Sequence, residues 1–222
     1  ILDAATAAGL QAVGVRGAAP GQLGRLMHAS LNCMRSDIIV WIDAEIRNPH
    51  PKLVYGPAGP LIANERLHYV KGFFDTPNDG LGADLDALVG ELSARPLLNL
   101  FYAELSGVID PLGVEQAVRR DTALQLPIFT GDAAPLGLLI DMLDRHGLQA
   151  IAQVALEERI ARPLGLAEAN RRSFSAAQVL TSRLGLAGDV ALHERATPTM
   201  KIIHQSGERF EVTSLEARES EL

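Results

Sequence analysis

The stretch Ile38-Ile39-Val40-Trp41-Ile42-Asp43-Ala44-Glu45 decides how the chain is read. Five apolar residues in a row, four of them β-branched, form the pattern of a strand covered on both faces, which points to the centre of a parallel sheet. Two carboxylates follow at once. Ligands of open α/β sheets bind beyond the carboxyl ends of strands, so Asp43 and Glu45 stand where a functional site is expected. Two hard oxygen donors two residues apart can hold Mg²⁺ or Mn²⁺. Such a cation neutralises a diphosphate and stabilises it as a leaving group. The plain alternative is a pair of turn or cap residues facing water.

Upstream, Ile1–Ala8 has helical spacing, Gln11–Val15 reads as a short strand, and Gln22–Met34 as a helix with Leu23, Leu26, Met27 and Leu31 on one side. Cys33 is expected as a small buried hydrophobe on that helix. Downstream, Asn48-Pro49-His50-Pro51 reads as a rigid turn, Pro51–Leu61 as a helix and Leu67–Phe74 as a strand. Lys71, flanked by Val70 and Phe73, is expected to snorkel to the surface. Asn78-Asp79-Gly80 is a turn signal. Asp84–Ser93 and Leu97–Val108 read as two helices separated by Arg95-Pro96, and Leu124–Phe129 as short and extended. Leu136–His146 is an amphipathic helix ended by Gly147, with His146 suited to the helix dipole. Ala150–Leu156 reads as a strand and Leu166–Leu184 as a long helix carrying Arg171-Arg172 on a solvated face. Gly207–Leu222 reads as a short strand and an acidic tail. Alternating strands and helices up to about residue 75 define an α/β class.

Composition narrows the function. The 222 residues carry a net charge of −7, which argues against a nucleic-acid binder working through bulk charge. A single cysteine excludes a disulfide scaffold and a cysteine-rich zinc module, and a reducing, cytoplasmic setting is the default. No apolar run reaches the roughly 18–20 residues that span a bilayer. The first residues lack a starting Met and a basic n-region, so the natural start is expected upstream. No G-x-G-x-x-G follows a strand, which disfavours a dinucleotide oxidoreductase. Asp43 and Glu45 lie on one strand end, a poor arrangement for two carboxylates flanking a glycosidic bond.

The segment Ile38–Ile46 with Asn48-Pro49-His50-Pro51 resembles the D-x-D strand of the glucosyl-3-phosphoglycerate synthases, retaining, metal-dependent glycosyltransferases of the GT-A fold. The resemblance continues in order through Gly59-Pro60-Leu61, Tyr69-Val70-Lys71, Glu91–Leu98 and Glu104-Leu105. It runs on through Pro111–Glu115, Gly137–Asp141, Gly147–Val154 and Glu194-Arg195 to Pro198-Thr199-Met200. It implies a GT-A-like mixed sheet flanked by helices, with the N-terminal part of the nucleotide-binding half missing. The implied division is 1–75 for what remains of the nucleotide-sugar half, 76–206 for the acceptor half and 207–222 for the tail.

The activity implied is transfer of a hexose, glucose from UDP-glucose, to 3-phosphoglycerate or glycerate with retention. By the same resemblance Glu45 stands at the metal-ligand position for Mg²⁺ or Mn²⁺ and Asp43 beside the nucleotide ribose. Leu112 places its backbone near the sugar, the Gly113–Glu115 turn lines the donor pocket, and Gly131 is a further donor-binding residue. The partners implied are the nucleotide-sugar donor, a small acceptor and a second copy of the chain in a homodimer. Catalytic and acceptor-binding residues stay unassigned, because the chain departs from the family there. Leu23 replaces the phosphate-facing lysine. Ala87–Gly90 replaces the acceptor-binding G-R-x-T. Asp132 and Pro135 replace a tyrosine and a glutamate, and the metal-binding histidine falls near Ala161. These departures leave a second expectation, a catalytically impaired homologue serving as a binding or subunit-interaction protein.

Overall fold

The computed structural model describes residues 21–74, 85–160, 162–187, 199–206 and 209–216. The expected helix at 1–8, the strand at 11–15, the turn at 78–80, the position of Ala161, the segment 194–198 and the final residues of the tail lie outside them.

Four strands form one mixed sheet: β1 (Ile38–Trp41), β2 (Tyr69–Phe73), β3 (Gln116–Arg119) and β4 (Ile151–Ala155), in the order β1-β3-β2-β4. β3 runs antiparallel to both β1 and β2, and β2 pairs in parallel with β4. The sheet thus draws strands from both sides of residue 75. Side chains alternate between its faces with the period of two that a pleated strand imposes. Ile39 and Trp41 of β1, Tyr69 of β2 and Val118 of β3 join the main core. Leu61, Val70 and Ala117 form a second cluster on the other face, with Ile38 and Val40 packed against it.

Helices cover both faces. α1 (Leu23–Cys33), α6 (Ala134–His146) and α7 (Leu166–Ala187) supply residues of the main core, and α2 (Lys52–Ala63) supplies Leu61 to the second. The indole of Trp41 donates to Ser30 Oγ at 2.8 Å, which keys α1 to β1. Gly24 lets α1 approach more closely still. A Cβ there would lie 1.7 Å from the Phe129 carbonyl oxygen, and the Gly24 amide donates to the Gly131 carbonyl at 3.2 Å. The stack of His146 on His68, with centroids 4.5 Å apart, joins the end of α6 to the approach of β2. β5 (Thr199–Ser206) and β6 (Arg209–Glu216) pair as a separate antiparallel hairpin. Among the described residues no helix is long and apolar enough to cross a membrane.

Several expectations need correction. β1 has one strand partner among the described residues and is antiparallel to it. A continuous apolar run reports that both faces are covered, which α1 and α2 achieve here, and says nothing about neighbours in the plane. Residues 85–101 are not two separated helices. α3 (Leu85–Val89) passes through a π turn, Gly90–Ala94, directly into α4 (Arg95–Phe101), with Pro96 in its first turn, where proline is tolerated. Tyr102 (φ −135°, ψ 61°) then ends the helix short of Val108. Leu124–Phe129 is not extended at its start, because α5 (Arg120–Ala123) runs out through the bonds Gln125 N–H to Thr122 O and Leu126 N–H to Ala123 O. Cys33 is exposed, since α1 turns its other side, Met27 and Leu31, inward.

The seam between α6 and α7 contains a buried ion pair. Arg183 Nε and Nη2 donate to the two carboxylate oxygens of Asp141 at 2.7 and 2.8 Å. Removing one member of such a pair strands the other charge in a poor solvent. Arg183→Leu is therefore expected to cost about 3–5 kcal/mol in urea unfolding, and Arg183→Leu combined with Asp141→Leu to recover most of that loss.

Candidate functional site: a cleft at the end of β1

The chain leaves β1 through Ile42 into a turn that folds back on itself. Asp43 Oδ1 accepts the Glu45 amide at 2.8 Å, the local bond expected of an aspartate at a turn. The following Asn48-Pro49-His50-Pro51 turn has a definite task. Asn48 donates its side-chain amide to the Glu158 carbonyl at 2.8 Å and accepts the Ile160 amide at 2.7 Å. The Arg47 amide adds a bond to the Ile160 carbonyl at 2.8 Å. This clamp holds the segment after β4 over the end of β1, and that segment carries Arg159 and Arg162.

A cleft of about 540 Å³ opens between these pieces. Asp43 and Glu45 line it from the β1 turn, Asp86 from α3, Val114 from the loop before β3, and Gly21 and Leu23 from the start of α1. Asp132 precedes α6, and Glu168, Arg171 and Arg172 come from α7, with Arg159 and Arg162 beside them. Five carboxylates thus face four guanidinium groups.

Each arginine is matched to an acid. Arg159 Nη2 lies 2.9 Å from Asp86 Oδ2, and Arg172 holds the other oxygen of the same carboxylate. Arg171 Nε lies 2.9 Å from Asp132 Oδ2. Arg162 bridges Glu45 and Glu168, at 2.9 Å from each. Bonding to Glu168, then to Glu45, raises the Arg162 pKa further. Arg159 also stacks its guanidinium over Phe74, 5.2 Å from the ring centroid.

The loop Asp110–Glu115 forms one wall. Asp110 Oδ1 accepts the Gly113 amide at 2.9 Å, Arg172 donates to the Leu112 carbonyl at 3.1 Å, and Lys71 Nζ donates to the Gly113 carbonyl. The Glu115 carbonyl accepts the Gly72 amide at 2.8 Å, and its Oε1 accepts the Asp43 amide at 3.2 Å. Glu115 is almost wholly buried, which raises its pKa, and its Oε2 has no hydrogen-bond partner among the described residues.

Of the expected site residues Asp43 and Glu45 line the cleft, while Leu112, Gly113 and Glu115 are buried in the loop whose Val114 lines it. Gly131 is buried one residue from the cleft, where its carbonyl receives the Gly24 and Ala134 amides. Three readings of single residues fail. Lys71 does not snorkel: it is fully buried, because β2 is an inner strand and the Asp110–Glu115 loop closes over its end. Arg171 and Arg172 do not form a solvated face but turn into the cleft. Asp86, Arg159 and Arg162 were not legible as site residues, since each is defined by a partner distant in sequence, and Asp132 was legible only as the replacement of a tyrosine. The one local signal was the recurrence of Arg159, Arg162, Arg171 and Arg172 over fourteen residues of an otherwise acidic chain.

An open mixed sheet with helices on both faces, and an acid pair leaving a strand into a charged cleft, is the architecture of the GT-A glycosyltransferases. No protein-family model matches the chain. The chain is similar to the glucosyl-3-phosphoglycerate synthase of Petrotoga mobilis, 40% identical over 177 residues, covering 78% of this chain and 54% of that protein. It is 39% identical over 173 residues to the same enzyme of Mycobacterium tuberculosis, covering 75% and 53%. Among solved structures it is similar to the mannosyl-3-phosphoglycerate synthase of Rubrobacter xylanophilus, with a TM-score of 0.77 and 32% identity over 92% of this chain and 64% of that one. The M. tuberculosis glucosyl-3-phosphoglycerate synthase in complex with Mn²⁺, UDP and glucosyl-3-phosphoglycerate gives a TM-score of 0.75 and 31% identity over 96% and 70%. The chain belongs to the glucosyl-3-phosphoglycerate synthase family. It spans about half the length of the curated relatives it matches.

The charge pairing predicts how the cleft meets an anion. Asp86 is the shared counter-ion of two arginines, so Asp86→Asn is expected to raise the affinity for inorganic sulfate several-fold at low salt, read by isothermal titration. Arg162→Ala, which removes the two exposed pairs to Glu45 and Glu168, is expected to change the melting temperature little.

Proposed function

We propose that this chain carries the donor-facing part of a hexosyltransferase that moves glucose from UDP-glucose to 3-phosphoglycerate or glycerate with retention at the anomeric carbon. The observation that carries the reading is the pair Asp43 and Glu45 at the end of β1, sharing one cleft with the Leu112–Glu115 loop and four arginines. A pyrophosphate needs positive charge around it and a sugar needs polar groups that fix its hydroxyls. The cleft offers both in separate places: arginines on one wall, and backbone and carboxylate groups on the other.

The residues present fit a hard divalent cation of the Mg²⁺ or Mn²⁺ kind. Such ions are commonly held by one or two carboxylates together with substrate phosphates, not by a complete protein cage. Glu45 would supply the protein oxygen, with Asp43 beside the ribose. Among the described residues no group of three or more His, Cys, Asp or Glu stands ready as a cage, so such a cation would need further oxygens from the donor. When bound, the cation would neutralise charge developing on the departing diphosphate. Glu45 must first leave Arg162, which frees that guanidinium to face the phosphates. The Leu112 and Gly113 backbone would position the hexose, Glu115 Oε2 would accept from a sugar hydroxyl, and Gly131 would support the far side of the pocket. By the same reading the protein works in the cytoplasm as a homodimer.

A second reading is a binding or subunit-interaction protein without catalysis. The observation that favours it is that every arginine of the cleft already has a carboxylate partner within the protein, so the cleft is electrostatically closed on itself.

Titration and turnover separate the two. The transferase reading expects Mn²⁺-dependent binding of UDP-glucose and release of UDP when 3-phosphoglycerate or glycerate is added. Glu45→Gln is expected to weaken the metal-dependent part of binding about tenfold, the order of effect seen when groups around a metal are altered. Absence of UDP-glucose binding with either metal would refute the transferase reading.

A further inference from the structure

Lys71 is the one lysine in the interior of the sheet. It lies on β2 between the Gln116 and Gln153 partners of its two neighbouring strands, and its side chain is fully buried. A buried ammonium is costly unless something holds it. Here Nζ donates to the Gly113 carbonyl. Asp110 and Glu115 face it from the loop and Asp86 from α3, with Arg172 of α7 as the opposing cation.

The adjacent Leu112 carbonyl is held from the other side by Arg172, and the Gly113 amide by Asp110. Two successive peptide oxygens of one loop are therefore each fastened by a cation, one from beneath and one from the cleft. We propose that Lys71 is a positioning residue for the donor sugar: by fixing the Gly113 carbonyl it sets the Leu112–Glu115 turn, and with it the backbone that meets the hexose. This rests on the reading of that loop as the sugar-facing wall.

A merely structural lysine would behave differently. A methionine fills the same slot without the desolvation cost, and apolar replacements of buried charges are often neutral or stabilising. Burial is also the main reason that the Lys71 pKa falls to about 8, with Asp110 and Glu115 acting against the fall. A lysine whose pKa is lower in the folded state than its usual value near 10.5 releases its proton more readily when folded. The contribution of Lys71 to global stability therefore rises with pH between about 8 and 10.5. The hold on Gly113 runs the opposite way and weakens as the ammonium is lost.

The test uses the full chain and Lys71→Met. Hydrogen exchange at the Gly113 amide, corrected for base catalysis, is expected to quicken at least tenfold in Lys71→Met while the melting temperature holds or rises. In the unaltered protein the same amide is expected to quicken as pH passes 8, and in Lys71→Met to show no such step. With Mn²⁺ present, Lys71→Met is expected to lose about tenfold in UDP-glucose affinity and less than twofold in UDP affinity. Unchanged Gly113 exchange, in the variant or across the pH series, overturns the proposal, as does an equal loss for both nucleotides. If the unaltered protein binds no UDP-glucose, the donor reading fails, and the exchange data still decide whether Lys71 holds the loop. If Lys71→Met does not fold, the pH series on the unaltered protein decides alone.

Discussion

β3 lies between β1 and β2, and Glu115, the residue that leads into it, touches both. Its carbonyl accepts the Gly72 amide of β2 and its side chain accepts the Asp43 amide at the end of β1. A carboxylate with almost no contact with water is an expensive way to join two strands. Its position explains the expense. The bond to Asp43 sets where the acid turn leaves the sheet, and the bond to Gly72 sets where the Asp110–Glu115 loop comes down on it. The two walls of the cleft are registered against one another through this residue, and the four arginines arrive afterwards, on the segment clamped by Asn48 and on α7.

The arginines make a lattice in which each guanidinium meets a carboxylate. Arg159 and Arg172 share Asp86, Arg171 takes Asp132, and Arg162 spans Glu45 and Glu168. The Arg162 pairs are the more exposed ones and contribute little to stability individually, while the Arg159, Arg171 and Arg172 pairs are largely buried. Guanidinium groups held in place by carboxylates are already oriented, so less side-chain freedom would be lost if an anion bound there. The lattice also explains why the cleft tolerates so much charge in so little volume.

What the sequence showed and what it hid follow from the range of the interactions involved. The strand Ile38–Trp41 and its acid turn were legible because both are written in adjacent residues, as were α6 with its Gly147 stop and the rigid Asn48–Pro51 turn. β3 was not legible, because Glu115-Gln116 opens it with two polar residues that are buried by partners elsewhere in the chain: Tyr69 donates to Gln116 and Asp43 to Glu115. Lys71 was misplaced for the same reason, since local pattern assigns a lysine to water unless a carbonyl forty residues away claims it. Arg171 and Arg172 read as surface because the acids that turn them inward, Asp132 and Asp86, lie across the fold, and the nearby Glu168 meets Arg171 only at 3.8 Å. The order of motifs along the chain carried the family resemblance where single residues did not.

Gly24 gives the cleft one of its dimensions. Backbone meets backbone at that point, with no room for even a methyl group between α1 and the Phe129 carbonyl. Gly21 and Leu23, three residues and one residue before Gly24, line the same opening that Asp132 lines from the other side. The gap across the mouth is therefore set by an atom that is absent: with any side chain at residue 24 the helix would stand off from its neighbour and the opening would widen.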